Sequence, residues 1–350
     1  MARPYQLNLM HLMDWHSHFQ KVFFETWQNA GLPNHHEFLH EYYTLLEQYE
    51  DENEFIKKSS AISPGVDHTK LYAVYGFGVA VGKIFADMLD VSPALKKHTS
   101  DWCGRFNLGI SLFDYICDEL DGLQNVTSLQ VFQPFTKTSF NPNRNLTPAE
   151  ELLDNLAGSV LHDLKKAGSE KNKYHKTNLL FSVLKRLFEA QSYISKERLC
   201  AAADLRKIRR ALYLKSAEPF RVMAEYTACM ADPHDQKLIK KARSIGKAIG
   251  CCYWLIDDAK DVWIDLEAKQ WNLFILSAIV EYPEIFEQSD NVFAESSLTS
   301  ALEQSSHARR MSKQIIKRLQ HAISYMELSK ETEHHTLGLV SASLWQWYNG

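Results

Sequence analysis

The chain has 350 residues and a formal net charge of −4, a balance with no basic stripe to neutralise phosphates, which excludes nucleic acid as the expected partner. With 45% hydrophobic and 23% charged residues it is globular rather than disordered. Sparse Gly and Pro with helical apolar spacing point to an all-α fold.

Six cysteines form no CxxC pair and read as buried thiols of a reducing compartment, not as a disulfide framework. The first twelve residues show no basic region followed by an apolar stretch, so no signal peptide is expected. No window is read as long and apolar enough for a transmembrane segment, and the protein reads as cytoplasmic.

In chain order, a helical N-terminal region runs to the acidic stretch 47–54, and 57–68, with Pro64-Gly65, reads as a loop. Helices are then predicted over 70–89, 92–122, 147–167, 176–192, 195–231, 235–269, 273–280 and 298–328. The Pro-, Asn- and Thr-rich stretch 133–148 is the longest predicted loop, with similar helical character on both sides. The expectation is therefore one α-helical domain over 1–350, its core at about 70–330 behind an N-terminal helical extension.

Two acidic motifs stand out. In the first, Asp114 and Asp118 are four residues apart, one helical turn, with Glu119 and Asp121 following. Their carboxylates share a face and repel unless a cation bridges them, and the flank 108–113 is largely apolar. In the second, Asp257, Asp261 and Asp265 recur every four residues after the apolar run 251–256, with Asp258 beside the first. Oxygen-only ligands suit Mg²⁺, which bridges characteristically to phosphate oxygens. A single motif of this kind is usually a solvated helix face; two, each closing an apolar segment, point to function.

The stretch from Ala242 to Asp261, with Gly246 and Gly250 leading into the aspartates, resembles the second aspartate-rich motif of the trans-isoprenyl diphosphate synthase and class I terpene synthase superfamily. Asp114 and Asp118 resemble the first motif, and Lys215, in Leu214-Lys215-Ser216-Ala217, is similar to the lysine-bearing helix between them. The resemblance covers roughly residues 70–280. It implies an isoprenoid synthase-type helical bundle around a deep apolar cavity, with diphosphate held at the mouth by three Mg²⁺ ions. Lys215, Arg221 and Lys260 are the implied diphosphate ligands. Arg221 follows Pro219, which either kinks a helix or marks its boundary; Lys260 is a ligand or a surface charge, and Lys269 pairs with Asp265 or does not. Arg105 lies far back on the first-motif helix, and Arg309, Arg310, Lys313, Lys317 and Arg318 either cover the site or are solvated. Tyr253 and Trp254 face the cavity or the core. Gly109 and Ile110, one turn before Asp114, leave room for a C15 to C25 chain. Relatives are often dimers, so a homodimer is allowed.

Prenyl-elongating members of the superfamily bind a second diphosphate with an arginine pair after the first motif and an early basic cluster. Residues 121–130 contain no Arg or Lys, and Lys70 and Lys83 are isolated. The reading is therefore a Mg-dependent terpene synthase, a lyase that ionises one prenyl diphosphate and then cyclises, eliminates or captures water. The alternative is a prenyl-elongating or head-to-head prenyltransferase. A silent regulatory subunit is disfavoured by the two intact motifs. A di-iron carboxylate bundle is disfavoured because the histidines at 35–40 and 334–335 lie away from the aspartates.

Overall fold

The structure, a computed structural model, describes residues 9–47, 68–118, 125–126, 128–135, 144–168, 174–194, 196–197, 199, 203–281 and 306–349. Among them are twelve α-helices and no strand. The first six are α1 (Leu9–Asn29), α2 (Leu39–Glu47), α3 (His68–Met88), α4 (Pro93–Asp118), α5 (Pro148–Gly168) and α6 (Tyr174–Ile194). The second six are α7 (Leu205–Ser216), α8 (Glu218–Ala231), α9 (Gln236–Glu267), α10 (Leu273–Glu281), α11 (Ser306–Met326) and α12 (Lys330–Asn349).

The expected all-α bundle is the observed one. α3 packs along α4 and α8 along α9, while α9 also meets α11 and α12. The N-terminal helices are part of this packing: α1 lies against α11 and α9, α2 against α12 and α3. Trp15 on α1 donates its indole N–H to the Ala259 carbonyl at 3.1 Å, so the N-terminal helix is tied to the second acidic segment.

Local chemistry sets the helix starts. Asp204 and Asp235 each accept two backbone N–H groups of the following turn, capping α7 and α9. The stretch 195–231, predicted as one helix, is two. α7 begins only at Leu205 and ends at Ser216, and α8 begins past Ala217 with Pro219 in its first turn, where the missing N–H has no helical acceptor to lose. Pro219 is thus a boundary, not a kink.

Two further expectations are corrected. Lys70–Met88 is long and apolar enough to cross a bilayer, with a mean hydropathy of 1.3, but 67% of it is buried within the bundle, which accounts for its apolarity. α12 was not predicted: residues Thr336 to Leu344 are buried on every side, so the segment has no polar face to generate a helical period.

The long α9 is seated by its small residues. A Cβ on Gly250 would lie 2.3 Å from the Ala217 carbonyl oxygen, and one on Gly246 2.7 Å from that of Phe220. Glycine lets the α9 backbone rest directly on the α7–α8 junction, which sets the second acidic motif opposite Lys215.

Candidate active site

The site gathers at the C-terminal end of α4, the C-terminal third of α9 and the end of α7. Lys215 Nζ lies 2.8 Å from Asp114 Oδ1. The same ammonium lowers the carboxyl pKa of Asp257, Asp261 and Asp265, so it stands among all four acids. Asp114 is also close enough to raise Asp265, which places the two motifs face to face. Gln191 on α6 donates to Asp114 as well.

Burial, then mutual repulsion, governs the second motif. Asp257 is pushed up to about 6 by desolvation first and Asp261 next. Asp261 reaches about 6 through desolvation and Asp265. Asp265 reaches about 6 through desolvation, although an Asn272 hydrogen bond at 2.7 Å and Lys215 oppose it. Partly buried carboxylates that remain costly to ionise are a donor set short of positive charge. Hard oxygen donors on facing helices fit Mg²⁺, although among the described residues no three acids already converge on one ion position.

Asp258 has a different task. It is buried, accepts the Trp254 indole N–H at 3.0 Å and the Leu273 backbone N–H at 2.5 Å, and so anchors the start of α10. Burial and the neighbouring Asp265 and Asp257 push its carboxyl well up. The carboxylates turned to the site are therefore spaced four residues apart, with Asp258 behind them. Asp118 closes α4, but its side chain, together with Glu119 and Asp121, lies outside the described residues.

An apolar cavity runs back from this cluster. Lys215 and Gln191 stand at one end, Gly109, Ile110 and Phe113 line it from α4, and α5 and α6 close it. Phe113, Phe132 and Phe188 form an aromatic wall with ring centroids 5.1–5.6 Å apart. Arg105 lies nine residues before Asp114, about 13 Å at helical rise. There it is held by Asp101 and Asp163, each at 2.8 Å.

A second pocket, of about 360 Å³, opens on the other side of Asp257 and Asp261, between α3, the end of α2 and the end of α12. Here Trp347 donates its indole N–H to Asp257 at 3.0 Å, and Lys260 Nζ reaches the Trp347 carbonyl at 3.3 Å.

Several expected positions fall elsewhere. Arg221 is buried, with its guanidinium on Glu218 at 2.6 Å and Glu225 at 2.8 Å, so it is committed to a structural cluster and not turned to the aspartates. Tyr253 stacks on Phe220 at 4.6 Å and binds Ser343, and Trp254 is held by Asp258; both are core and neither lines the apolar cavity. Lys269 ends α9 at φ 56°, its carbonyl accepting the Leu199 N–H, while Asn272 takes the place beside Asp265. The C-terminal basic residues Arg309, Lys313, Lys317 and Arg318 are exposed, and Arg310 pairs with Glu281. The histidines expected to lie apart from the aspartates do so in contact with one another's helices: His334 and His335 pack on Phe38, and His335 meets Glu41 at 2.8 Å.

Sequence reasoning missed Gln191, Asn272, Trp347 and the phenylalanine wall. The aromatic run 345–348 was the one signal available for Trp347; a lone Gln or Asn carries none.

No family model matches the chain, and no curated protein matches it in sequence. Solved structures do. A geranylgeranyl pyrophosphate synthase from Lactobacillus brevis matches at TM-score 0.58 and 15% identity, over 86% of this chain and 99% of the other. A geranylgeranyl pyrophosphate synthetase from Geoglobus acetivorans matches at 0.57 and 14%, over 93% and 98%. The heptaprenyl diphosphate synthase of Staphylococcus aureus matches at 0.55 and 13%, over 91% and 98%. The chain has the isoprenoid synthase fold, as its aspartate motifs suggested.

Proposed function

We propose that the protein is a magnesium-dependent enzyme that ionises a linear prenyl diphosphate of about C15 to C25. The observation that carries this is Lys215 among Asp114, Asp257, Asp261 and Asp265 at the end of an aromatic-walled apolar cavity. Asp114, Asp118, Asp257, Asp261 and Asp265 would hold Mg²⁺, which supplies charge neutralisation for a diphosphate leaving group. Lys215 adds a cation that binds the same diphosphate and orients it. The cavity holds the prenyl chain away from water, and Phe113, Phe132 and Phe188 face the allylic cation formed when the C1–O bond breaks.

Two fates of that cation are supported by different observations. The solved structures with this fold are named as geranylgeranyl pyrophosphate and heptaprenyl diphosphate synthases, which weighs for transfer of the prenyl group to a second substrate. A second pocket on the far side of Asp257 and Asp261 supports the same outcome. Against elongation stands the scarcity of cations there, which favours the lyase fate expected from the sequence. Transfer is the better supported of the two.

Incubating the protein with Mg²⁺ and each of the C10 to C25 prenyl diphosphates tests the common step. Diphosphate release that chelation abolishes is expected for at least one chain length. No release from any of them would remove the proposal.

A further inference from the structure

The second pocket adjoins the acidic cluster that would hold the substrate diphosphate. It shares Asp257 and Asp261 with the site, while the apolar cavity is lined by Lys215, whose ammonium acts on the same two acids. Its chemistry is unlike that of a diphosphate site. Among the described residues its only cation is Lys260, whose ammonium is drawn to the Trp347 carbonyl at 3.3 Å, and two carboxylates face it. Apart from any Mg²⁺ held by Asp257 and Asp261, a second diphosphate placed there would find Lys260 as its one side-chain cation among the described residues.

What the walls do offer is aromatic surface. Tyr42, Tyr72, Tyr75, Phe77 and Trp347 line the pocket. Phe77 and Trp347 are fixed against each other at 4.5 Å, and Tyr75 is held by its hydroxyl on Asp101 at 2.6 Å. Pre-positioned rings of this kind stack a flat ligand at little entropic cost. At about 360 Å³ the pocket is in the range of small-molecule sites.

We propose that this pocket binds an uncharged, electron-rich aromatic acceptor, and that the enzyme prenylates it. The inference rests on the ionisation reading above. The C1–O bond of the prenyl diphosphate breaks with its electron pair leaving on diphosphate. A ring carbon of the acceptor donates a π pair to C1 and forms the new C–C bond. That ring carbon then loses its proton to the released diphosphate, which restores aromaticity, so the sum is one prenylated arene and one protonated diphosphate with no external oxidant or reductant.

The test incubates the full chain with Mg²⁺, a prenyl diphosphate, and in turn indole, 1-naphthol or isopentenyl diphosphate, with products identified by mass spectrometry. A prenylated indole or naphthol without elongation of the chain is expected. In Ala73→Trp, which places a ring in the pocket from α3, the ratio of prenylated arene to prenol should fall at least tenfold. Elongation with isopentenyl diphosphate and no arene product overturns the inference, because the pocket then takes a second diphosphate. Diphosphate released with only prenol or hydrocarbon in every arm also overturns it, while leaving the ionisation reading standing. No diphosphate release in any arm removes both.

Discussion

Lys215 Nζ sits 2.8 Å from Asp114 Oδ1, joining the end of α7 to the end of α4 across the mouth of the apolar cavity. The lysine supplies positive charge to four acids, and it stands where a substrate diphosphate would draw it away. Both side chains are partly exposed, so the pair adds little to stability in water. Lys215→Gln should therefore unfold at nearly the wild-type temperature while kcat/KM for diphosphate release falls about a hundredfold. Asp114→Asn should lose at least as much. Near-normal turnover in either variant would take that residue out of the site.

The second motif makes stability depend on pH in an unusual direction. Asp257, Asp261 and Asp265 titrate near 6 in the folded chain, against an ordinary carboxyl value near 4. A raised folded pKa means that the native state holds protons which the unfolded chain has released. The contribution of these groups is full below about pH 4 and is lost as pH rises through 6. Metal-free protein should thus melt on the order of 5 °C lower at pH 7.5 than at pH 5.5. Mg²⁺ should recover most of that difference at pH 7.5 and little at pH 5.5, because the ion competes with the protons. An equal Mg²⁺ effect at both values, read by thermal melts, would separate these acids from metal binding.

The two acidic helices were legible in the sequence because each has a polar side. α4 and α9 carry apolar runs that end in repeated carboxylates, so both their period and their chemistry show. α12 escaped because residues 336–344 are buried all round, and with it went Trp347, which touches the site. The misplacing of Arg221 has a related cause. A cation near Lys215 in sequence looks available, but the Ala217 break turns α8 so that Arg221 meets Glu218 and Glu225 on its own helix. The four-residue spacing already left Asp258 off the carboxylate stripe, and only the position of α10 shows that it anchors Leu273. Tertiary partners, invisible to spacing, decided the places of Trp347 and Arg221.

The seat of α9 on the α7–α8 junction gives a stability prediction with a built-in control. An alanine methyl at Gly250 would have to share space with the Ala217 carbonyl at 2.3 Å, and backbone on both sides cannot yield cheaply. Gly250→Ala should cost about 1–3 kcal/mol, as overpacking does, and activity should fall further because Asp257 is displaced from Lys215. Gly158, in α5, has nothing within 4 Å of an added methyl. Gly158→Ala should be neutral or stabilising by up to about 1 kcal/mol through helix propensity. Denaturant unfolding of the pair distinguishes crowding from a general intolerance of alanine.

Cavity length offers a direct handle on substrate choice. A methyl at Gly109 would meet only Leu156 Cβ at 4.0 Å, so the position opens to the cavity one turn before Asp114. Gly109→Ala should leave the substrate profile nearly unchanged. Gly109→Phe should project a ring across the cavity and lower kcat/KM for the longest prenyl diphosphate accepted by at least tenfold, while the shortest is affected least. A uniform loss across chain lengths would mean that the prenyl chain runs elsewhere.

Trp347 joins α12 to the chemistry through one hydrogen bond, and the atoms involved allow a selective test. Its indole N–H, 3.0 Å from Asp257, holds the carboxyl below where burial and Asp261 would otherwise put it. Trp347→Phe removes that donor while preserving an aromatic ring against Phe77, which lies 4.5 Å away. Asp257 should then titrate at a higher pH and bind Mg²⁺ less well near pH 6. The acidic limb of the pH profile of diphosphate release should shift upward, with a rise in the Mg²⁺ concentration needed for half-maximal rate. At pH 8, where the carboxyl is ionised in both proteins, the rates should converge to within about tenfold. A loss of rate that is the same at every pH would assign Trp347 to packing alone, since a missing ring contact has no reason to follow the titration of Asp257.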